Sequence, residues 1–247
     1  WYTGYTVLPV DASSVTISAS NEVNFFAGTD ATTVSVVGGS GATSYADIDT
    51  NAKVILGDNV SFSALNIEID AQNIADQVQA SNRVDTDFST TIFAGGGGGA
   101  NGTAGLSNQN IKNLLAEVNI GENSVLKISD LAWLDTSYDH GIFINASTDF
   151  YIWDESKLEV GGALQGAGAE SDIDVDATNK VTLGDDVKLY NPVGEIAIGT
   201  YGRGEAVGQS NVSVWAAAGV AGGVTDVRLD ILNRVTIGQD VDINAYG

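Results

Sequence analysis

The sequence predicts an all-β fold, a right-handed parallel β-helix (β-solenoid) with Gly/Ala-rich loops, filling residues 1–247 as a single domain. Three observations lead there. A short phrase built around a corner recurs along the chain, and apolar and polar residues alternate within each copy. The third is size: 247 residues, 43% of them hydrophobic, suffice for one sizeable core without demanding a second domain.

The phrase reads Val54-Ile-Leu-Gly57-Asp-Asn-Val60-Ser-Phe62 within 51–62, Val181-Thr-Leu-Gly184-Asp-Asp-Val187-Lys-Leu189 over 181–189, and Val235-Thr-Ile-Gly238-Gln-Asp-Val241-Asp-Ile243 over 235–243. A longer form carries one more residue after the corner: Val118-Asn-Ile120-Gly121-Glu-Asn-Ser124-Val-Leu126-Lys-Ile128 over 118–128. Its partner over 150–160, Phe150-Tyr-Ile152-Trp153-Asp-Glu-Ser156-Lys-Leu158-Glu-Val160, has Trp153 in the glycine's place. A glycine used for positive φ would give a backbone that Trp153 cannot share.

Alternation with Val, Ile, Thr and Phe is strand chemistry, and Gly followed by Asp, Asn or Glu is turn chemistry, so each unit is strand, tight corner, strand. Corner spacings are 121 − 57 = 64, 153 − 121 = 32, 184 − 153 = 31 and 238 − 184 = 54, which suggests a unit near 30 residues with blurred copies at Val84–Phe88 and near Gly28. Stacked about 4.8 Å apart, roughly eight such windings would span an axis on the order of 40 Å. Further alternating stretches, Leu65–Asp70, Val193–Ile198, Asp172–Asp176 and Asp226–Asp230, supply additional strands. Gly/Ala segments at 94–105, 161–169, 199–208 and 216–223 separate the clusters, with Gly95–Gly99 read as a loop. One short helix is expected over Asn108–Glu117, where Ile111, Leu114 and Leu115 have helical spacing.

With 10 Lys plus Arg against 32 Asp plus Glu the net charge is −22, which disfavours nucleic acid and anionic membranes as partners. No stretch is apolar for long enough to make a spanning helix, so no membrane insertion is expected. The absence of Cys excludes disulfides and thiolate metal sites. A start at Trp1, with no Met and no leader pattern, reads as a processed subunit or a piece of something longer.

Little chemistry stands out. The only histidine, His140, lies in Tyr138-Asp-His140-Gly141 and reads as a surface turn residue, not a triad member. Asp172, Asp174 and Asp176 share one face if Ile173 and Val175 point inward, and Asp226 and Asp230 repeat the pattern with Arg228 between them. Stacked carboxylates invite a cation, calcium being the oxygen-ligand choice, or interleaved bases such as Lys53, Lys180 and Arg234; the nonapeptide and EF-hand calcium motifs are absent. The residue pattern assigns no catalytic, cofactor-binding or metal residues. Gly202-Arg-Gly204 reflects glycine richness and not a nucleotide loop, and the Asn-x-Ser/Thr triplets at Asn59, Asn101, Asn145 and Asn211 follow from composition. The aromatics Trp133, Tyr138, Phe143, Phe150, Tyr151 and Trp153 read as core filling or a protein contact more readily than as a ligand platform.

The phrase Asn179-Lys-Val-Thr-Leu-Gly-Asp-Asp-Val187, its copy Asn233–Val241 and the Gly/Ala stretches leading into Asp-Ile-Asp-Val resemble large bacterial exoproteins and adhesins with filamentous-haemagglutinin-like β-helix repeats, over most of residues 51–247. That resemblance implies export, an extracellular or cell-surface location, and a non-enzymatic structural or adhesive role with possible contact to a surface or a carbohydrate. Neither a secretion domain nor a cap is visible, and uncapped ends should self-associate along the axis into a homo-oligomer or fibre. The alternative is a carbohydrate-active β-helix enzyme, a polysaccharide hydrolase or lyase using paired carboxylates.

Overall fold

The computed structural model describes residues 14–25, 29–34, 36–77, 90–130, 132 and 140–246. Val84–Phe88, Gly28, Trp133 and Tyr138 lie outside them. The chain is almost entirely β, with no α-helix among the described residues. Its strands are β1 (Val15–Phe25), β2 (Thr29–Val34), β3 (Val37–Leu56), β4 (Ser61–Ala64), β5 (Ile67–Gln77), β6 (Thr90–Ile120), β7 (Val125–Ile128), β8 (Gly141–Leu183), β9 (Lys188–Asn191), β10 (Glu195–Ile237) and β11 (Asp242–Ala245). They form a seven-stranded and a four-stranded sheet, and all the pairings are parallel.

The pairing divides the chain into four levels. β1–β4 form the first, β5–β7 the second, β8 and β9 the third, β10 and β11 the fourth, each lying in register on the one before. Leu56 pairs with Ile120, Ile120 with Leu183 and Leu183 with Ile237, so corresponding residues are 64, 63 and 54 apart. The expected unit near 30 is therefore corrected: a level is about twice as long, and four levels replace eight. Counted from the residue aligned with Val15 to its corner glycine, the third level runs 184 − 142 = 42 residues, and the first and fourth match it at 57 − 15 and 238 − 196. The second runs 121 − 67 = 54, twelve longer. Eleven of the twelve fall between Asp76 and Thr90, where the offset to β8 drops from 75 to 64, and the twelfth is a bulge beside Asn113.

The long strands fold back on themselves. Thr148 Oγ1 donates to Asn179 Oδ1 at 2.6 Å, although a straight strand would hold residues 31 apart at about 100 Å separation, at ~3.3 Å per residue. Phe150 and Ile152 pack on Ile173, Val175 and Ala177 across the same core. The fold-back lies at the Gly/Ala segments. Gly95–Gly98 are strand residues paired with Glu159–Gly162, so the loop expected there is corrected: small side chains let the backbone bend within the strand, with the pairing skipped between Gly98 and Ala100.

The Asn108–Glu117 helix is corrected as well, since this stretch is part of β6. Asn113 adopts φ 57° in a bulge, and one extra residue there turns both Ile111 and Leu114 inward, each fully buried. Apolar residues three apart thus imitate helical spacing. The fifth phrase, with Trp153, is no corner: it lies inside β8, with Trp153 opposite Val207.

The other four phrases do make corners, in one column. Their positive φ belongs not to glycine but to the residue two later, namely Asn59 (59°), Asn123 (56°), Asp186 (56°) and Asp240 (54°), types that tolerate the left-handed region. Glycine is needed for proximity. A Cβ on Gly121 would lie 2.6 Å from the Gly57 carbonyl carbon, one on Gly184 2.9 Å from Glu122 N, and one on Gly238 2.6 Å from the Gly184 carbonyl carbon. Each corner rests directly on the backbone of the corner below.

Alternation carries apolar residues inward, and full burial of Ile67, Ile69, Ile142, Ile144 or Leu189 stabilises by about 1.5–3 kcal/mol each. Polar residues at inward positions are bonded across the core. Thr50 Oγ1 donates to Asn73 Oδ1 (2.8 Å), and Asn73 Nδ2 donates to the carbonyls of Leu115 (2.7 Å) and Thr50 (3.1 Å). Fully buried Asp154 accepts from the hydroxyls of Ser107 and Ser171, 2.5 Å each, and from Gln109 Nε2 at 3.4 Å.

Replacing Asp154 by Ala would leave two buried hydroxyls without this acceptor, at about 1–3 kcal/mol per unsatisfied group. Asp154→Ala should therefore lower the unfolding free energy by about 2–5 kcal/mol, and Ser171→Ala by less. Urea unfolding with an unchanged m-value is the measurement; a change below about 0.5 kcal/mol for Asp154→Ala would refute the role.

Candidate functional site

Each outward face presents columns of side chains one strand spacing apart, and these columns hold nearly all the charge. Asp172, Asp174 and Asp176 do point outward, with Ile173 and Val175 fully buried between them. Their neighbours dilute the charge. Asn108 Nδ2 donates to Asp172 (3.4 Å), Asn110 Nδ2 to Asp47 (3.2 Å) and Asn113 Nδ2 to Asp49 (3.3 Å), while Arg228 pairs in register with Asp174. The column Asp47–Asn110–Asp174–Arg228 thus alternates acid, amide, acid and base. Among the described residues no group of three or more His, Cys, Asp or Glu is placed to hold a metal ion.

The bases before each corner act on another acid. Lys53 and Lys180 lie 3.4 and 3.2 Å from Glu117, one below it and one above, and Arg234 stacks on Lys180. This is the interleaved arrangement the sequence suggests, with Glu117 as the acid in place of the Asp172–Asp176 ladder.

His140 is corrected from a surface residue to a buried one, 8% exposed. Its Nδ1 lies 2.9 Å from the Leu65 carbonyl oxygen, and its own carbonyl accepts from Asn191 Nδ2 at 3.2 Å. His140 therefore ties together the connections leaving three successive levels, which is a packing role. Phe150 is core, as its pattern suggests, and Asn145 and Asn211 are engaged with Asp70 (3.0 Å) and Glu155 (2.7 Å).

A patch with a perturbed carboxyl lies on the outer face where β5, β8 and β10 run side by side. Ile74, Asp76, Asp149, Tyr151, Arg203 and Glu205 line an open groove of about 470 Å³. Arg203 Nε donates to Asp149 Oδ1 at 3.0 Å. Partial burial raises the Asp76 carboxyl above its ordinary 3.8, and the negative charges of Glu22 and Asp149 add to the shift. A carboxyl that holds its proton longer thus sits near Asp149, which is ion-paired with the Arg203 guanidinium. Sequence reading missed Asp76 because its acid neighbours, Glu22 and Asp149, come from other levels, 76 − 22 = 54 and 149 − 76 = 73 residues away in the chain. It missed Asp154 because Trp153–Ser156 was assigned to a corner, whereas unbroken alternation from Phe150 to Val160 sends Asp154 inward.

Because the folded-state pKa of Asp76 is raised, its ionised form opposes folding. That penalty is absent below about pH 3.8, where the carboxyl is protonated in both states, and grows as the pH rises through the folded value. Asp76→Asn should raise the melting temperature at pH 7 and leave it unchanged near pH 3. A stabilisation equal at both pH values would remove the electrostatic explanation. Comparison of the chain with family models, curated proteins and solved structures returns no match.

Proposed function

We propose that this chain is a β-solenoid segment with a structural or adhesive role in a secreted or cell-surface bacterial exoprotein. The observation that carries the reading is the corner column: four glycine corners stacked backbone on backbone, with every flanking strand in parallel register. Such a chain winds once per level, and its stability comes from each level covering the next. Parallel crossovers are right-handed in about 98% of cases, which favours the right-handed winding. Export and the surface location rest on the resemblance of the phrase to filamentous-haemagglutinin-like repeats. The outer faces support a scaffold because amides and bases interrupt several of their acid columns.

A carbohydrate-active enzyme is the second reading, favoured by the raised carboxyl of Asp76 beside Asp149 in an open groove. Two measurements separate the readings. Antibodies to the chain should label intact producing cells, and purified protein should release no reducing or unsaturated sugar ends from polysaccharides. Sugar release abolished by both Asp76→Asn and Asp149→Asn would install the enzyme in place of the scaffold.

A further inference from the structure

We infer that the two ends of the stack are complementary, so that a second copy seats its first level on the fourth level of the one before, pairing residue n of the new copy with residue n + 181 of the old. The inference rests on the solenoid reading above and adds to it a defined occupant and register.

Gly57 is the first observation. The three later corner glycines are glycine because the corner beneath leaves no room for a Cβ, but a Cβ on Gly57 would meet nothing within 4 Å, and its φ is not positive. Nothing within the described chain demands glycine there. A corner placed beneath it would make the same demand as at the other three.

Hydrogen bonding in the column breaks off at the same two places. Gly121, Gly184 and Gly238 donate their N–H to the carbonyls of Leu56, Ile120 and Leu183 below, at 2.8–3.0 Å. Asn59, Asn123 and Asp186 donate upward to Glu122, Asp185 and Gln239, at 2.8–2.9 Å. Among the described residues the Gly57 N–H has no acceptor below and the Asp240 N–H has none above. In the n + 181 register Gly57 meets the Ile237 carbonyl, and Asp240 meets the carbonyl of Asp58.

Length and side chains agree with that register. The first and fourth levels both run 42 residues to the corner, whereas the second, with its twelve extra residues, is enclosed between neighbours. A longer end level would throw the strands out of step. Val235 and Ile237 are 41% and 52% exposed at the top of the stack, while their counterparts Val181 and Leu183 are 0% and 1% exposed. In the new register Ile237 lies against Leu56 of the next copy, which is half-buried where its counterpart Leu183 is 1% exposed.

Charges on the outer face are also matched. Arg203, bonded to Asp149 on one side, would face Glu22 of the next copy on the other, and Arg228, above Asp174, would face Asp47. Each arginine would then sit between two acids, the inverse of Glu117 between Lys53 and Lys180. Asp230 would meet Asp49 and Arg234 would meet Lys53; the chain already stacks Asp230 on Asp176 and Arg234 on Lys180. A head-to-tail contact of this kind does not close on itself and generates an open filament.

The test uses the full chain, which has no Cys to interfere. Ile55→Cys together with Thr236→Cys, facing each other in this register, should give a ladder of covalent multimers on oxidation, whereas Lys53→Cys with Thr236→Cys, two residues out of step, should not. Light scattering across a concentration series should show wild-type mass growing, and Gly57→Ala, with an unchanged melting temperature, should need at least about tenfold more protein to assemble, the outcome for one blocked contact. Ladders of equal yield from both cysteine pairs, or Gly57→Ala assembling like wild type, would overturn the register while leaving the scaffold reading in place. A wild-type chain that stays monomeric throughout would overturn end-to-end stacking, and surface labelling of cells would then decide the scaffold reading separately.

Discussion

The closest physical constraint in the molecule is the contact of one corner's backbone with the next. At Gly121, Gly184 and Gly238 a single methyl group would collide with the peptide below, so the column admits one spacing and one register. Everything along the strands inherits that register. Because side chains alternate with period two, a slip of one residue at a corner would turn Ile67, Ile142 and their neighbours outward and bring Glu68 and Phe143 in. The corners act as pins, and the strands as the core they hold in step.

A second consequence concerns charge. A chain of net −22 built as parallel in-register ladders risks stacking like charges at strand spacing. Amides and the few bases are placed where they interrupt those ladders, as Asn110 does between Asp47 and Asp174, and as Glu117 does between two lysines. Where interruption fails, as at Asp76 with Glu22 and Asp149 nearby, a carboxyl holds its proton more tightly. The same economy explains the interior. Asp154, Asn73 and Asn179 are tolerated because hydroxyls, amides and carbonyls from the opposite arm reach them across a narrow core.

Strand identity, the four glycine corners and the outward run of Asp172, Asp174 and Asp176 were legible in the residues, since each depends only on local alternation and turn chemistry. The period was not. Fold-back occurs inside continuous strands at small residues and leaves no turn signature, so the Trp153 stretch passed for a corner and halved the apparent repeat. The bulge at Asn113 was likewise hidden, because one extra residue converts period-two burial into the three-residue spacing of a helix.

By itself, then, the sequence determined that the chain is β, where its four glycine corners turn, and that its surface is strongly acidic. All three follow from residue type and nearest neighbours. Tertiary structure alone decided which corner rests on which, that His140 is buried, and that Asp76 is crowded by acids from other levels. Those facts depend on contacts between residues some 50 to 75 positions apart, and level length, which no local pattern encodes, selects the partners.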